Sequence, residues 1–512
     1  MQLKLSKFNF SIYKTLFYSS LIINYISGIV LYDSTTGLDW EKYSNTVFYF
    51  LGYSTNIIDP QGALYFSIIS KLIILFNTGE QLLVSDVVQS FNFLLFIFGI
   101  YGIKKLLYKN YFESKIIYLS LTVLCYFPPV WYLRLTMKPE IFAFSLFPWI
   151  IYFLDLYFEK RKINFLIASI TSISLVLTLK ASIAGMVIFC LLIAYSKEIL
   201  NLKNNFKILV GVVSTTLILI FENYKNLGLW IFEKRMSIEQ FGETITFYEW
   251  DNRANIQFFT NIDIKNLLEN PFKYLHSDSF FSITALDTLS DYFGFFWNHQ
   301  ENNNLISFNR VQFTENFLIQ SFLPMYLSII FSITFYFVIF LFIISKDKNW
   351  KLLSFPFLGM LILIINSLGF PSNNFNPQTG DTFKVHYYSF LVSFSFVYLV
   401  ALFGRLFKKY KFVIFLLIPF FLISMGFPKS TNDNYYEKIE ERFSISYSCG
   451  LQKNDSNICK NESDYFQNNS IFPEYQIIPQ RKSLVFNYLS LIIFLISLFP
   501  KNTTRFKLKL NY

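Results

Sequence analysis

Three carboxylates lie within nine residues, directly after the first apolar segment of the chain. Asp33, Asp39 and Glu41 fall in the stretch "YDSTTGLDWEKYSNTVFYF". A carboxylate in such a place can act as a general base toward a hydroxyl group. Thr36 and Asp39 also fit the S/T-x-x-D/E pattern that begins a helix, and apolar residues then recur at helical spacing. The stretch therefore predicts a short amphipathic helix on a membrane surface, which gives Asp39 a structural explanation beside the catalytic one.

A second stretch, "VWYLRLTMKPEIFAF", places two cations and a carboxylate around a proline. Arg134, Lys138 and Glu140 follow one apolar segment and precede another. Pro139 is expected to begin the next helix, because proline is favoured in the first helical turn. Glu140 would then lie at the positive end of that helix, which favours its ionised form. Lys180, in "LTLKASIAG", adds a cation at the end of a further apolar segment.

Together these residues have the chemistry needed to handle a phosphate group. Cations can bind a phosphate leaving group and stabilise its developing charge, while a carboxylate activates the attacking hydroxyl. Each cation also has a simpler explanation, because lysine and arginine side chains at a membrane edge can extend toward lipid phosphates. The candidate phosphate-binding residues are Arg134, Lys138, Lys180 and Lys384.

Composition and hydropathy place these motifs in a membrane protein. The 512 residues are 53% hydrophobic and only 15% charged, whereas a soluble chain carries roughly 25% charged residues. Apolar runs of bilayer length recur along the chain, and a β-barrel would instead show short alternating segments. We therefore expect an all-α polytopic membrane protein with about twelve transmembrane helices, which fall at 10–31, 84–103, 115–131, 139–157, 163–179, 183–198, 208–223, 317–344, 352–369, 386–404, 411–427 and 484–500.

Lysine and arginine gather in alternate short connections between these predicted spans. By the positive-inside rule, those connections and both termini face the cytoplasm. The net charge of +10 is then explained by topology, which argues against a nucleic-acid partner. The alternation requires that residues 61–77, with Lys71 in their middle, do not cross the membrane. This part of the first outer loop is therefore predicted to be a re-entrant or interfacial helix.

The same topology predicts the organisation of the chain in the cytoplasmic membrane, with its main loops on the extracytoplasmic face. Cys449 and Cys459 share one of these loops, where an oxidising compartment allows a disulfide, although two free thiols are the alternative. The predicted parts are a transmembrane domain at 1–427 with outer loops 32–83 and 224–316, an extracytoplasmic loop at 428–483, and a last helix with a basic cytoplasmic tail at 484–512.

Further candidates for substrate contact lie in the predicted outer loops. The stretch "DYFGFFWNHQENNN" contains Trp297 and His299, and "NPQTGDTFKVHYY" contains Asp381 and His386. Aromatic rings beside polar side chains suit sugar stacking and hydroxyl hydrogen bonds. An aromatic cluster is more often a packed core or a surface that rests on the membrane, so this assignment has a structural alternative.

At these motifs the chain resembles the GT-C glycosyltransferases, polytopic enzymes that use polyprenyl-phosphate sugars. "DWEKY" is similar to the family's first-loop Asp followed by a Tyr, which are Asp39 and Tyr43 here. "DPQGALYFSIISKLIILF" resembles its proline turn and interfacial helix, "LRLTMKPEIFAF" its outer turn, and "LKAS" a lysine-bearing turn. The resemblance covers about residues 10–200 and otherwise extends to architecture only. The chain departs from the family by lacking a tandem acidic pair at Asp39 and by having "PQ" where many members have "PP".

The resemblance implies transfer of a sugar, with inversion, from a polyprenyl-phosphate donor to a lipid, glycan or protein acceptor. Asp39 would be the general base, and Glu140 would orient the acceptor or hold a metal. The four cations would bind the donor phosphate, while Tyr43 and the loop residues would contact the substrate. Some family members bind a divalent metal through carboxylates and His, and this chain has three His. A metal cofactor is therefore left open, and no metal ligand is assigned.

Two other functions are compatible with the same topology. An O-antigen-type polymerase or ligase also has about twelve spans, acts on a diphosphate-linked glycan and relies on outer arginines, which here are Arg134 and Arg253. A membrane transporter would show inverted repeats or ionisable residues deep within its spans. The sequence shows no clear repeat and few such charges. No pattern identifies the sugar, the acceptor or the oligomeric state.

Overall fold

The computed structural model is helical almost throughout the part of the chain that it describes. Strands occur in that part as three short antiparallel pairs, which join Ser54–Thr55 to Tyr475–Gln476, Ser237–Gln240 to Glu243–Thr246, and Gln312–Phe313 to Pro428–Lys429. The described residues are 12–31, 43, 46–47, 49–50, 54–55, 61–76, 84–227, 237–240, 243–246, 256–269, 276, 279–289, 312–313, 323–345, 349–369, 385–407, 414–425, 428–429, 475–476 and 484–498.

Most of the described helices fall in the predicted apolar segments, and three short ones between residues 256 and 287 lie in the predicted outer loop 224–316. A short 3-10 turn at Val385–Tyr387 precedes one of the long helices. In chain order the described helices are α1 (Ile12–Leu31), α2 (Ala63–Phe76), α3 (Val84–Lys109), α4 (Ser114–Leu124), α5 (Pro128–Leu135), α6 (Glu140–Lys160), α7 (Ile163–Leu177), α8 (Ala181–Ala194), α9 (Ser196–Leu200), α10 (Leu202–Leu227), α11 (Ile256–Thr260), α12 (Ile264–Glu269), α13 (Phe280–Asp287), α14 (Leu323–Ile344), α15 (Trp350–Leu353), α16 (Phe355–Gly369), α17 (Ser389–Leu406), α18 (Leu417–Met425) and α19 (Val485–Ser497).

Within the described residues, five helices are long and apolar enough to cross a membrane, and a bent pair makes a sixth if it counts as one span. The five lie in α3, α6, α10, α14 and α17. The described helices therefore fit a helical membrane protein with several spans. Each of the twelve predicted spans contains a described helix, but shorter helices such as α7 and α8 do not meet the length criterion by themselves.

The predicted third span, 115–131, is not one straight helix. It divides into α4 and α5, whose axes differ by 65°. Pro128 begins α5, and proline lacks the N–H group that would continue the hydrogen bonding of α4. Between the two helices, Tyr126 and Phe127 donate to carbonyls only three residues back, which tightens and ends the last turn of α4.

The helices α6 and α17 form the centre of the bundle. In each of them 83% of the apolar window is buried, compared with 22% in α10. Phe147 of α6 packs edge-on against Phe390 and Phe394 of α17, at 5.4 and 5.3 Å between ring centroids. Residues at the beginnings of both central helices are therefore held in fixed positions by the core.

The basic connections lie at one end of the bundle, which we call the Lys109 end. Lys109 forms ion pairs with Asp155 at 3.3 Å and with Glu159 at 2.6 Å. Arg405, at the end of α17, donates to the carbonyl of Asn110 at 3.0 Å. The connections after α3, α6 and α17 therefore lie at the same end of the described bundle, as the charge pattern predicts.

The opposite end, the Glu140 end, contains the beginnings of α6 and α19 and the end of α10. Here Glu222 of α10 accepts hydrogen bonds from the backbone N–H groups of Phe486 and Asn487, at 2.8 and 2.9 Å. A carboxylate at a helix N-terminus satisfies donors that have no partner within the helix. This contact fixes the last helix against α10.

Residues 61–76 form a turn and the short helix α2, which has 14 residues. At 1.5 Å per residue α2 is about 21 Å long, shorter than a hydrocarbon core of about 30 Å. Its first half is buried within the protein, where Tyr43 stacks on Phe66 at 5.1 Å and Ser70 donates to the carbonyl of Val47 at 2.9 Å. The described part of the predicted amphipathic helix at 36–51 therefore packs its apolar face on α2.

Candidate functional site

The connection between α5 and α6 carries the second charged motif. Pro139 is predicted to begin this helix; in the structure it immediately precedes α6, and Glu140 is the first helical residue. The backbone N–H of Phe142 donates to the carbonyl of Pro139 at 2.9 Å, and that of Lys138 to Thr136 at 2.9 Å. The carboxylate of Glu140 is completely buried, at the positive end of the central helix.

Asn92 of α3 holds this connection in place. Its side-chain amide donates to the carbonyls of Arg134 and Thr136, at 3.0 and 2.9 Å. Its amide oxygen accepts a hydrogen bond of 2.8 Å from the hydroxyl of Tyr65. Asn92 and Tyr65 are both fully buried, and burial raises the pKa of the Tyr65 hydroxyl well above its usual range. Neither residue was among the predicted site residues, although an asparagine within an apolar span is a visible signal.

Lys180 reaches Glu140 from the connection between α7 and α8. Its ammonium nitrogen lies 2.9 Å from Oε1 of Glu140, and only 12% of the lysine side chain is exposed. The same ammonium lies 4.2 Å from the centre of the Tyr387 ring, within the range of a cation–π contact. Oε2 of Glu140 is buried and has no hydrogen-bond partner among the described residues.

Gly62 lets the beginning of α2 fit between the two connections. Its N–H donates to the carbonyl of Leu179 at 2.6 Å, and its φ of +72° lies in the region that favours glycine. A Cβ at this position would lie 2.7 Å from Cβ of Pro139, which is too close. The residues next to Glu140 and Lys180 are thus packed together through the backbone of Gly62.

Lys138 contacts His386, which belongs to the 3-10 turn before α17. The lysine Nζ and the imidazole Nε2 are 3.5 Å apart, and both side chains are buried. The ammonium group can donate to Nε2 when the imidazole is neutral and carries its proton on Nδ1. The structure therefore joins Lys138, Glu140, Lys180, His386 and Tyr387 in one group, which we call the Glu140 cluster.

Arg134 occupies a different position from the other predicted phosphate-binding residues. Its guanidinium group packs against Gly28 of α1 and lies 5.5 Å from the ring of Trp131. The side chain is completely buried, and its three nitrogens have no hydrogen-bond partner among the described residues. The contacts that the structure describes for this guanidinium are thus with α1 and α5, and not with the Glu140 cluster.

The substitution Gly28→Ala is expected to destabilise the protein by about 1 kcal/mol relative to Gly185→Ala, because the added Cβ displaces the fully buried guanidinium of Arg134. The added Cβ would lie 1.8 Å from Nη2 of Arg134. Thermal unfolding in detergent measures the effect. Gly185→Ala is the matched control, since it gains the same helix propensity but meets only the side chain of Ile362, at 3.2 Å. Equal unfolding temperatures for the two variants would contradict close packing at Gly28.

Among the remaining predicted residues, the structure describes Tyr43 and leaves the others outside the described ranges. Tyr43 is described, and its ring is buried against α2. The other predicted site residues, the second candidate arginine and the loop cysteines lie outside the described residues; they are Asp39, Lys384, Trp297, His299, Asp381, Arg253, Cys449 and Cys459.

Metal ligands are not grouped in the part of the chain that the structure describes. No set of three or more His, Cys, Asp and Glu side chains there could hold a metal ion. The ammonium group of Lys138 lies beside Nε2 of His386, and the described ion-pair partner of Glu140 is Lys180. Cations beside both potential ligands oppose the approach of a metal ion.

Comparison with known proteins gives no relative for this chain. No protein-family model, no curated protein and no solved structure matches it significantly.

Proposed function

We propose that this protein is a membrane glycosyltransferase of the GT-C type, which moves a sugar from a polyprenyl-phosphate donor to a lipid, glycan or protein acceptor. The observation that supports this proposal is the Glu140 cluster, in which Lys138 meets His386 and Lys180 meets Glu140. Two ammonium groups, an imidazole and a carboxylate at one site can bind a phosphate and exchange protons with a hydroxyl. Such a group at the ends of apolar helices suits a lipid-linked phosphate better than a soluble one.

In this proposal the cations and the carboxylates have separate roles. Lys138 and Lys180 bind the donor phosphate and stabilise the charge that develops on it, together with Lys384. The buried guanidinium of Arg134 packs against α1 and is not given this role. Glu140 orients the acceptor through its second carboxylate oxygen, and Asp39 takes the proton of the attacking hydroxyl. The residues proposed to contact the sugars are Tyr43, Trp297, His299, Asp381 and His386.

The proposed orientation has twelve spans in the cytoplasmic membrane, with both termini in the cytoplasm. It is supported by the clustering of basic connections at the Lys109 end, since such residues are retained on the cytoplasmic side. The Glu140 end would then face the extracytoplasmic side. Nucleotide sugars are absent from that side, so a transferase there requires a lipid-linked donor.

A transfer assay with purified protein and labelled polyprenyl-phosphate sugars tests the proposal. The wild type should transfer sugar, and Asp39→Asn should lose about 100-fold or more of the rate, the range for removing a general base. Asp33→Asn is the matched control in the same stretch and should keep the wild-type rate.

Near-normal transfer by a well-folded Asp39→Asn protein would remove Asp39 as the base. Transfer only from diphosphate-linked glycans would favour the polymerase or ligase instead. Accumulation of a solute in vesicles without any glycosyl transfer would favour a transporter and overturn the proposal.

A further inference from the structure

Within the long segment 224–316, the buried carboxylate of Asp287 contacts the turn that carries two residues of the Glu140 cluster. Asp287, the last residue of α13, is 2% exposed. Its Oδ2 accepts a hydrogen bond of 2.5 Å from the backbone N–H of Val385. Val385 begins the 3-10 turn that carries His386 and Tyr387. A carboxylate bonded to a backbone N–H forms a charge-assisted hydrogen bond, which is stronger than a neutral one.

The position of Asp287 is fixed by hydrogen bonds between α13 and α14. The hydroxyl of Ser328 donates toward the carbonyls of Ala285 and Leu286, each at 3.0 Å. Ser332 also donates to Ala285, at 2.9 Å. Since α14 is one of the long apolar helices, it provides a rigid base for the end of α13.

A second contact holds the other end of the turn. Tyr336 of α14 has its hydroxyl 3.4 Å from that of Tyr388, the residue that follows the 3-10 turn. The turn is therefore held at Val385 by Asp287 of α13 and at Tyr388 by Tyr336 of α14.

The turn positions the partners of both lysines of the cluster. His386 contacts Lys138 at 3.5 Å, and Tyr387 lies under the ammonium group of Lys180 at 4.2 Å. These are successive residues of a three-residue element, so a shift of its first residue moves both partners. A backbone anchor at Val385 thus controls the geometry around two cations.

We propose that Asp287 is a positioning residue for the Glu140 cluster, and that it acts by holding the N–H of Val385. The outer segment thereby contributes to the site without touching the substrate. The functional meaning of this role rests on the proposed glycosyltransferase activity, whereas the positioning itself is a property of the protein alone.

The positioning role can be measured without any substrate. In the detergent-solubilised full chain, an amine-acylating reagent modifies Lys138 and Lys180 at rates that mass spectrometry can follow. Loss of one buried hydrogen bond shifts a local opening equilibrium by about fivefold or more. Asp287→Ala is therefore expected to speed acylation of both lysines, and amide hydrogen exchange across 385–388, by about that factor.

Two further variants separate positioning from general damage. Asp287→Asn keeps an acceptor oxygen and should restore acylation rates to within about twofold of wild type. Asp263→Ala is the matched control, since Asp263 also accepts a backbone N–H, that of Asn266 at 2.9 Å, within the same outer segment. Its removal should leave Lys138 and Lys180 unaffected.

Val385→Pro tests the same hydrogen bond from the donor side, because proline removes the N–H at the first residue of the turn. It should reproduce the faster acylation of Asp287→Ala, and it decides the matter if Asp287→Ala fails to fold.

In the transfer assay, Asp287→Ala should lower kcat/KM for the lipid-linked donor and Asp287→Asn should restore it. Unchanged acylation and exchange in folded Asp287→Ala and Val385→Pro would overturn the proposal, whereas faster acylation in a protein without transferase activity would reject only the proposed function.

Discussion

Replacing Glu140 with leucine is expected to lower the free energy of unfolding by about 3 kcal/mol, the lower part of the range for breaking a buried ion pair. The substitution removes the carboxylate that lies 2.9 Å from Lys180 and leaves an ammonium group that is only 12% exposed. The remaining charge is then without its described ion-pair partner in a poorly solvated place. Chemical unfolding in detergent micelles measures the loss.

The double variant Glu140→Leu/Lys180→Leu separates stability from function. Exchanging a buried ion pair for apolar residues of similar size is often neutral, so most of the lost stability should return. Transferase activity should stay absent, because both groups are proposed to act on the substrates. Recovery of activity together with stability would show that the pair is structural only.

An exposed ion pair provides the control for this cycle. Lys265 and Glu269 lie 3.9 Å apart on α12, with side-chain exposures of 85% and 62%. Such pairs contribute at most about 1 kcal/mol, so Glu269→Leu should change stability little. Comparable losses from Glu140→Leu and Glu269→Leu would contradict a special role for burial.

Much of the Glu140 cluster could be predicted from the sequence, because charge and topology restrict where its members can lie. Lys138, Glu140, Lys180 and His386 come from three separate connections, and the alternation of basic loops assigned all three to one side. The structure pairs Lys138 with His386 and Glu140 with Lys180, although no spacing in the sequence relates the three connections. Their roles in catalysis are still predictions.

Other features depended on side-chain direction and on packing, which periodicity does not reveal. Arg134 is four residues from Lys138, yet its guanidinium packs against α1, and Gly28 gave no sign of that contact. Asp287 has no motif around it and becomes notable only through its hydrogen bond to Val385. Pro128 and Pro129 indicate the bend before α5, but a hydropathy window averages the residues on both sides of such a break and so predicts one span.

The second large effect is expected at Asn92, where alanine should destabilise the protein by about 3 kcal/mol or more. The substitution removes both donors to the connection that carries Lys138 and Glu140, and also the acceptor of the Tyr65 hydroxyl. Buried groups that lose a partner cost about 1–3 kcal/mol each. Asn92→Ala should therefore lower the unfolding temperature and the rate in the transfer assay, since the connection can shift once Asn92 no longer holds it.

Two controls distinguish this positioning from general stability. Tyr65→Phe removes one of the three hydrogen bonds, leaves both donors of Asn92 in place, and should cost about 1 kcal/mol. Asn110→Ala removes an amide that donates to Leu106 and Tyr398, each at 3.0 Å, near the Lys109 end. It should lower stability while leaving KM for the donor unchanged. If Asn92→Ala affects KM no more than Asn110→Ala does, then Asn92 supports the fold and does not set the geometry of Lys138 and Glu140.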